Sequence, residues 1–240
     1  MGAQWKHAGR IQNSSKRGAL FSKLAKEIIV AAKAGGAQLD GNSRLRSAVE
    51  AAKKASLPRE NIERAIKRGA GLDDEPVIYE LVTYEGFALH KVPIIVECLT
   101  DNKNRTAADI RSLFRKAQLG NPGSVAWMFD RMGVIEGTHV GKDIDFEGAA
   151  IEAGAQNVEA LEASEVPAGQ TGARFFCDTT DLDTVTKALI AQGWVTTMTE
   201  LSYIAKNNSE LSDEQKKEVT DFLEAIDDHD DVHRIYVGLK

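Results

Sequence analysis

The sequence lacks the cysteine patterns of secreted and zinc-binding proteins. It has only two cysteines in 240 residues, Cys98 and Cys177, and they stand far apart and outside any C-x-x-C pair. This spacing excludes a disulfide framework and a zinc ribbon, so both thiols are predicted to be buried in strands. We expect neither a metal nor a cofactor.

Long hydrophobic runs are also absent. The longest, "IIVAA" at 28–32 and "VPIIV" at 92–96, are far shorter than the roughly 20 residues that a membrane-spanning helix needs. The first residues do not form a signal-peptide pattern, and Lys6 occupies the position where a myristoylation signal has Ser or Thr. The expected localisation is therefore cytoplasmic, with no membrane partner.

The motifs of common enzymes are missing as well. The nearest approach to a phosphate loop, "GTHVGKD", has one residue too few between its glycines and an aspartate where the hydroxyl belongs. The acidic run "DDHDDVH" at 227–233 could hold a metal, but it is interpreted as a solvated connection between a helix and the last strand. No enzyme is expected. A small-molecule enzyme or sensor using a groove between domains stays as an alternative for which the sequence nominates no residues.

Charge is divided unevenly along the chain. Residues 1–72 carry 15 Lys and Arg against 5 Asp and Glu, whereas the other 168 residues carry 15 against 31, and the formal net charge is -6. Excess positive charge on one domain favours binding to a polyanion, because lysine and arginine release the counterions condensed on nucleic acid. A transit peptide or a membrane-surface helix is the alternative reading of the first basic stretch.

Apolar periodicity in this basic region predicts three short amphipathic helices. In "LFSKLAKEIIVAAKAGG" an apolar stripe recurs every three to four residues, and Gly35 and Gly36 provide a stop. Lys23, Lys26 and Lys33 are predicted to lie on the opposite, exposed face. The predicted stripe of this helix consists of Leu20, Leu24, Ile28 and Ala31. The second helix is predicted to begin after the cap Asn42, and the third at Pro58, with Gly69 as its end.

Beyond "GAGLDDEP" at 69–76, which predicts a domain boundary, helices alternate with short strands. This order favours an α+β fold built from small sandwiches. "GSVAWMFD" is predicted to be a strand that places Val125, Trp127 and Phe129 on one side. Three capping boxes are predicted, at Thr106 with Asp109, at Thr180 with Asp183, and at Ser212 with Gln215.

Long ordered motifs give the chain a resemblance to a known family. "NSRLRSAVEAAKKASLPRENIERAIKRGAG", "VECLTDNKNRTAADIR" and "GSVAWMFDRMGVI", with "YEGF" and "DDHDDVHRIY", resemble the YebC/PmpR family, which includes mitochondrial translational activators of cytochrome oxidase. The first residues, "GAQWKHAGRIQNSSKRG", carry fewer basic residues than the usual family pattern, which indicates a divergent subgroup.

The resemblance implies a three-domain α+β architecture. It comprises a basic three-helix bundle at 1–72, an α+β domain at 73–131 plus 204–240, and a further α+β domain at 132–203 inserted into the second. The implied function is that of a non-enzymatic, DNA-binding transcriptional regulator. The alternative is a translation factor that binds the ribosome and its RNA and relieves stalling. The acidic α+β domains would then face the ribosome or a protein partner.

Candidate nucleic-acid contacts follow from the basic charge and from the matching family segments. They are Lys6, Arg10, Lys16, Arg17, Lys23, Lys26, Lys33, Arg44, Arg46, Lys53, Lys54, Arg59, Lys67 and Arg68. The matching segment "TDNKNRT" gives a candidate second contact at Asn102, Asn104 and Arg105. For these three residues the competing interpretation is that the Asn residues cap a helix and that Arg105 complements nearby carboxylates.

Overall fold

The structure, a computed structural model, describes residues 14–72, 78–141 and 144–239, except for the side chains of residues 14–17 and 43. In these ranges the chain forms seven α-helices and eight strands. The helices are α1 Ser14–Gly35, α2 Ser43–Lys54, α3 Arg59–Gly69, α4 Lys103–Leu113, α5 Phe146–Ala153, α6 Leu182–Ala191 and α7 Asp213–Asp227. The strands are β1 Glu80–Phe87, β2 Pro93–Thr100, β3 Gln118–Leu119, β4 Phe129–His139, β5 Asn157–Ala160, β6 Thr171–Cys177, β7 Val195–Ala205 and β8 Val232–Val237.

These elements form two compact units, and the predicted α+β class is confirmed. One unit consists of the described residues up to Asp130 together with those from Ile204 onward, and the other is Arg131–Tyr203. The first unit contains α1–α3, called here the helical bundle, and a sheet in the order β3-β1-β2-β8. The second unit is built on a sheet in the order β5-β6-β4-β7.

The helical bundle packs α2 and α3 against α1 from Phe21 onward. Its core contains Ile28, Ile29, Ala31, Ala32, Leu45, Ala48, Val49, Ala52, Ile62 and Ala65. Leu20, predicted to lie in this core, is 45% exposed. The prediction was wrong because α1 has 22 residues and its partners only 12 and 11, so the first turns of α1 extend past them.

Asn42 joins the end of α1 to the start of α2, as predicted for a cap. Its side-chain oxygen accepts a hydrogen bond from Leu45 N at 3.0 Å. Its amide nitrogen donates to Ala31 O at 2.8 Å and to Gly36 O at 2.9 Å. One buried side chain therefore satisfies backbone groups that both helix ends leave without an intrahelical partner.

The first α+β domain, β1–β3 and β8 with α4 and α7, covers its sheet with those two helices. Phe114, just after α4, meets Phe222 of α7 edge to face with ring centroids 5.4 Å apart. Strand β2 is buried along its whole length, which agrees with its continuous apolar sequence and its place between β1 and β8. Ser212 and Gln215 form the predicted capping box of α7.

The second unit packs α5 and α6 on one face of its sheet. Trp194 is buried there, and its ring centroid lies 4.9 Å from that of Phe175 in an edge-to-face contact. Both cysteines are buried in strands as predicted, Cys98 in β2 and Cys177 in β6. Within the described ranges, no helix is long and apolar enough to span a bilayer.

Two predicted capping boxes are wrong. Helix α4 begins at Lys103, because the Asn102 side chain accepts the Arg105 N–H and starts the helix before Thr106. Helix α6 begins at Leu182 after the cap Asp181, which leaves Thr180 outside the helix. In both cases the S/T-x-x-D pattern is present but is displaced from the true helix start.

The segment predicted as the strand "GSVAWMFD" forms a 3-10 turn at Ala126–Met128 before β4 begins at Phe129. Glu85 causes this departure, because its buried carboxylate accepts hydrogen bonds from Gly123 N, Val125 N and Ala126 N at 2.7–2.9 Å. Burial opposes the charge on Glu85, but the three N–H groups lower its pKa below the usual value. The resulting loop leaves Trp127 68% exposed.

Candidate nucleic-acid interface

Four lysines of the helical bundle are exposed at helix ends. Lys33 lies in the last turn of α1, Lys53 and Lys54 in that of α2, and Lys67 in that of α3. Within the described part of the chain, no carboxylate lies within ion-pair distance of any of them. A cation in the last turn of a helix interacts favourably with the macrodipole, which explains why lysines stand at these positions. Their ammonium groups remain available to a ligand.

These lysines form two groups on the bundle. A β-carbon on Gly69 would lie 2.4 Å from Ile29 O and 2.7 Å from the Ala32 β-carbon, so the end of α3 touches α1 beside Lys33. Lys33 and Lys67 therefore lie at the same end. Asn42 ties the start of α2 to the end of α1, and Lys53 and Lys54 lie in the last turn of α2, about 18 Å along the helix axis from that start.

The predicted arginine contacts are partly engaged within the bundle. The Arg44 guanidinium donates to Glu27 at 2.9 Å and remains 52% exposed. Arg46 donates to Leu39 O at 3.0 Å and to Asp40 O at 3.1 Å. Arg59 pairs with Glu63 one turn later at 2.7 Å and is 91% exposed, while Arg68 is half-buried. Arg44, Arg46 and Arg59 can thus still present part of their guanidinium groups to a ligand.

Lys23 and Lys26 do not occupy the exposed face, contrary to the prediction. Their side chains are only 14% and 13% exposed. Lys26 Nζ donates to Asp231 Oδ1 at 2.7 Å and to Asp230 O at 2.9 Å, and it lies 5.5 Å from the centroid of the Tyr79 ring. Lys23 Nζ donates to the Asp227 carboxylate at 3.2 Å and also to the Asp227 carbonyl. The tertiary fold places this face of α1 against residues 227–231, called here the acidic segment.

The acidic segment connects α7 to β8 as predicted, but only part of it is solvated, since Asp228 and Asp230 are exposed and Asp231 is buried. Asp231 is 4% exposed and accepts hydrogen bonds from Lys26, from Thr106 Oγ1 at 2.8 Å and from Arg105 at 3.1 Å. Burial alone would raise the pKa of Asp231, but hydrogen bonds from Lys26, Thr106 and Arg105 outweigh burial and hold it at about 2. Asp231 therefore stays ionised and connects α1, α4 and the start of β8.

A second charged contact lies beside the first. Glu27 of α1 is buried, and its Oε2 lies 3.0 Å from His233 Nε2 in β8, a close approach without hydrogen-bond alignment. Burial raises the pKa of Glu27, but contacts with His233 and Arg44 dominate and lower it to about 2. The helical bundle thus meets the first α+β domain where Lys23 and Lys26 face the acidic segment and Glu27 lies beside His233.

In the candidate second contact, two of the three residues have structural partners. Asn102 caps α4, and Arg105 donates to Asp101 at 2.8 Å and to Asp231 at 3.1 Å. These carboxylates, Asp231 first, raise the pKa of Arg105 above its ordinary value. Asn104 is exposed in the first turn of α4. The geometry of Asn102 and Arg105 matches the competing interpretation, a helix cap and a partner for carboxylates.

A cleft of ≈ 550 Å³ lies between α1, Tyr79 and the acidic segment. Its polar lining includes Asp101, Asp109, Asp228 and His229. Among the residues that the structure describes, no group of His, Cys, Asp and Glu side chains has an arrangement that could hold a metal ion.

Four candidate contacts lie outside what the structure describes. Lys6 and Arg10 precede the first described residue. Lys16 and Arg17 belong to α1, but their side chains are not among those described. Their predicted contacts with nucleic acid stay predictions.

Comparison with known families matches both parts of this architecture. Residues 3–72 match the family domain described as "TACO1/YebC protein N-terminal domain", and residues 79–239 match "TACO1/YebC second and third domain". The chain belongs to the TACO1/YebC family. This confirms the resemblance found in the sequence, and the two matches meet near the boundary predicted from "GAGLDDEP".

Relatives of this TACO1/YebC protein extend over its whole length. A Bdellovibrio bacteriovorus protein named "Probable transcriptional regulatory protein" is 51% identical, and the alignment covers 100% of both chains. A Pseudomonas syringae pv. tomato protein with the same description is 53% identical over 100% of this chain and 99% of the relative. The crystal structure of a conserved hypothetical protein from Aquifex aeolicus, 35% identical, matches with a TM-score of 0.79 over 99% of this chain and 96% of that one.

Sequence reasoning missed the partners of Lys23 and Lys26 in this TACO1/YebC protein. Asp227 and Asp231 lie more than 200 positions further along the chain, so no helical or strand periodicity links them to α1. The one available signal was that the most concentrated acidic run in the C-terminal region has the opposite charge to the basic first third. Opposite charge indicates that the two regions attract each other, but it does not identify which lysine pairs with which aspartate.

Proposed function

We propose that this protein is a transcriptional regulator that binds duplex DNA through the exposed lysines of its helical bundle. The observation that carries the proposal is that Lys33, Lys53, Lys54 and Lys67 are exposed and have no carboxylate partner in the described residues. The printed names of relatives at 51% and 53% identity, both probable transcriptional regulatory proteins, support the regulatory part.

Phosphate neutralisation supplies the binding free energy in this proposal. Each lysine that contacts a phosphate releases condensed counterions, a favourable entropic contribution that is independent of base sequence. If the four lysines each neutralise one phosphate, the logarithm of the affinity should fall with the logarithm of the salt concentration with a slope of about -3.6. Base-edge contacts are not assigned, so the proposal concerns affinity and not sequence preference.

The test compares charge removal on the bundle with equal charge removal elsewhere. Lys53→Gln with Lys54→Gln should weaken binding to a fluorescent 30-base-pair duplex and should make the salt slope less negative by about 2. The matched control is Lys116→Gln with Lys217→Gln, which removes two exposed lysines from the first α+β domain. Equal weakening by both pairs would show that binding depends on net charge and not on the bundle.

In the alternative function, as a translation factor, the same exposed lysines would bind RNA phosphates and not DNA phosphates. Structured RNA is recognised largely by its shape and by phosphate and 2′-hydroxyl contacts, which exposed lysines can also make. The same variants should therefore be titrated with a hairpin RNA of equal phosphate number. Preference for duplex DNA at equal salt supports the regulator. Preference for the RNA, together with co-sedimentation with ribosomes, would replace that role with a translational one.

A further inference from the structure

Lys23 and Lys26 of α1 already have hydrogen-bond partners for their ammonium groups. They donate hydrogen bonds to carboxylate and carbonyl oxygens of the acidic segment. Three of these hydrogen bonds have nitrogen–oxygen distances of 2.7–3.2 Å. Anionic oxygens at such distances are also what a lysine meets on a nucleic-acid phosphate. The acidic segment and a phosphate backbone would therefore compete for the same two groups.

The end of α7 is unusual in a way that fits this competition. The helix finishes at Asp227 with the cap Asp228, and its last turn contains no basic residue. Negative charge at a helix C-terminus opposes the macrodipole, so these carboxylates are unfavourable for α7 alone. Their charge is compensated across the contact, where Asp227 receives Lys23 of α1.

In the contact between the bundle and the acidic segment, phosphates of a polyanion could replace the carboxylates as partners of the lysines. In the described part of the chain, the bundle and the first α+β domain have separate hydrophobic clusters. Two ion pairs of α1 bridge them, Lys23 with Asp227 and Lys26 with Asp231, and Glu27 lies beside His233. A lysine can exchange one anionic oxygen for another, whereas a shared apolar core would have to be exposed to water.

We propose that the acidic segment is an autoinhibitory element that holds Lys23 and Lys26 away from nucleic acid. In the closed state described here, the exposed lysines make the first contacts. Displacement of the acidic segment by phosphates then adds Lys23, and Lys26 after it. This proposal rests on the proposed nucleic-acid binding and adds its regulation.

Asp227→Asn is the variant that tests it, because Asp227 is partly exposed and its loss removes an unfavourable charge from the end of α7. Duplex affinity should increase about two- to fivefold, the effect expected for releasing one such ion pair. The increase should disappear in a Lys23→Gln background, since the released group is then absent. Asp221→Asn, an equal change of charge at an exposed position of α7, is the matched control and should give a smaller increase.

The two proposals fail in different ways in this experiment. If wild-type protein binds and Asp227→Asn tightens binding no more than Asp221→Asn, the acidic segment is not inhibitory and the proposed function stands. If neither wild type nor any variant binds duplex or RNA, the proposed function is wrong and the autoinhibition falls with it.

Lysine acylation measured by mass spectrometry tests the closed contact without nucleic acid. In folded wild-type protein, acetyl-N-hydroxysuccinimide should modify Lys23 several-fold more slowly than Lys53, and Asp227→Asn should accelerate the modification of Lys23 alone. Equal rates for Lys23 and Lys53 in the wild type would overturn the closed state in solution. A thermal unfolding midpoint for Asp227→Asn close to that of the wild type ensures that faster labelling does not come from unfolding.

Discussion

Lys26 of α1 places its ammonium group 2.7 Å from Asp231 Oδ1, across 205 residues of sequence. Both side chains are shielded from water, with exposures of 13% and 4%. A lysine that appears on the sequence to be a surface cation is therefore part of the contact between the helical bundle and the first α+β domain. Its role in stability is different from that of Lys33, which is exposed in the same helix.

Charge reversal at Lys26 and at Lys33 should have very different effects on stability. Lys26→Glu places a carboxylate beside the buried Asp231 and removes one of its two cationic partners, so we expect a loss of about 3 kcal/mol or more in the free energy of unfolding. Lys33→Glu alters an exposed position and should cost less than about 1 kcal/mol. Urea unfolding at pH 7 measures both. Similar losses for the two variants would contradict the assigned contact.

The ionised carboxylates Glu27 and Asp231 should make the stability depend on acid. Their pKa values are about 2 in the folded protein, below the usual 4.5 and 3.8, so the unfolded chain takes up protons at a higher pH than the folded chain. Their contribution is fully present above about pH 5 and is lost as the pH falls through 2, with an order of about 2 to 3 kcal/mol for each group.

Urea unfolding at pH 6, 4.5 and 3 measures this loss. Glu27→Gln removes one of the two groups, so the difference between pH 6 and pH 3 should be smaller in this variant than in the wild type. Glu63→Gln, at an exposed position of α3, is the control and should keep most of the wild-type difference. A Glu27→Gln profile parallel to the wild type would show that this carboxylate is not perturbed.

Glu85 should be required for the loop that exposes Trp127. Glu85→Gln keeps one oxygen and replaces the other with an NH2 group, which cannot accept a hydrogen bond, so either the Gly123 N–H or the Val125 and Ala126 N–H groups lose their acceptor. We expect a cost of about 1–3 kcal/mol in the free energy of unfolding. Glu80→Gln, at an exposed residue of β1, is the control. Equal stability of the two variants would contradict the role of Glu85.

The two thiols should be inert in the folded protein. Burial, and then nearby carboxylates, raise the pKa of Cys98 to about 12 and that of Cys177 to about 11, so almost no thiolate exists at pH 8. Ellman's reagent should therefore titrate no thiol in native protein within minutes and both thiols in 6 M guanidinium chloride. Rapid reaction of one thiol without denaturant would show that its strand opens readily.

Much of the fold could be predicted from local patterns. Amphipathic periodicity located the core residues of α2, Gly69 located the end of α3, and Ser212 with Gln215 located the start of α7. The predictions failed where a distant side chain decides the local conformation. Glu85 turned the "GSVAWMFD" segment into a 3-10 turn by accepting three of its N–H groups, and no property of that segment alone indicates this.

For the candidate interface, the sequence by itself determined the amount of positive charge and its confinement to the first 72 residues, because charge is a sum over residue types. It also determined the exposure of Lys53 and Lys54, because helical periodicity sets the face on which they lie. Only the tertiary structure decided that Lys23 and Lys26 face carboxylates, because their partners come from the other end of the chain. Whether a charged side chain can bind a ligand depends on the groups that the fold places beside it. When those groups are more than 200 positions away in the sequence, tertiary packing decides this and local sequence pattern does not.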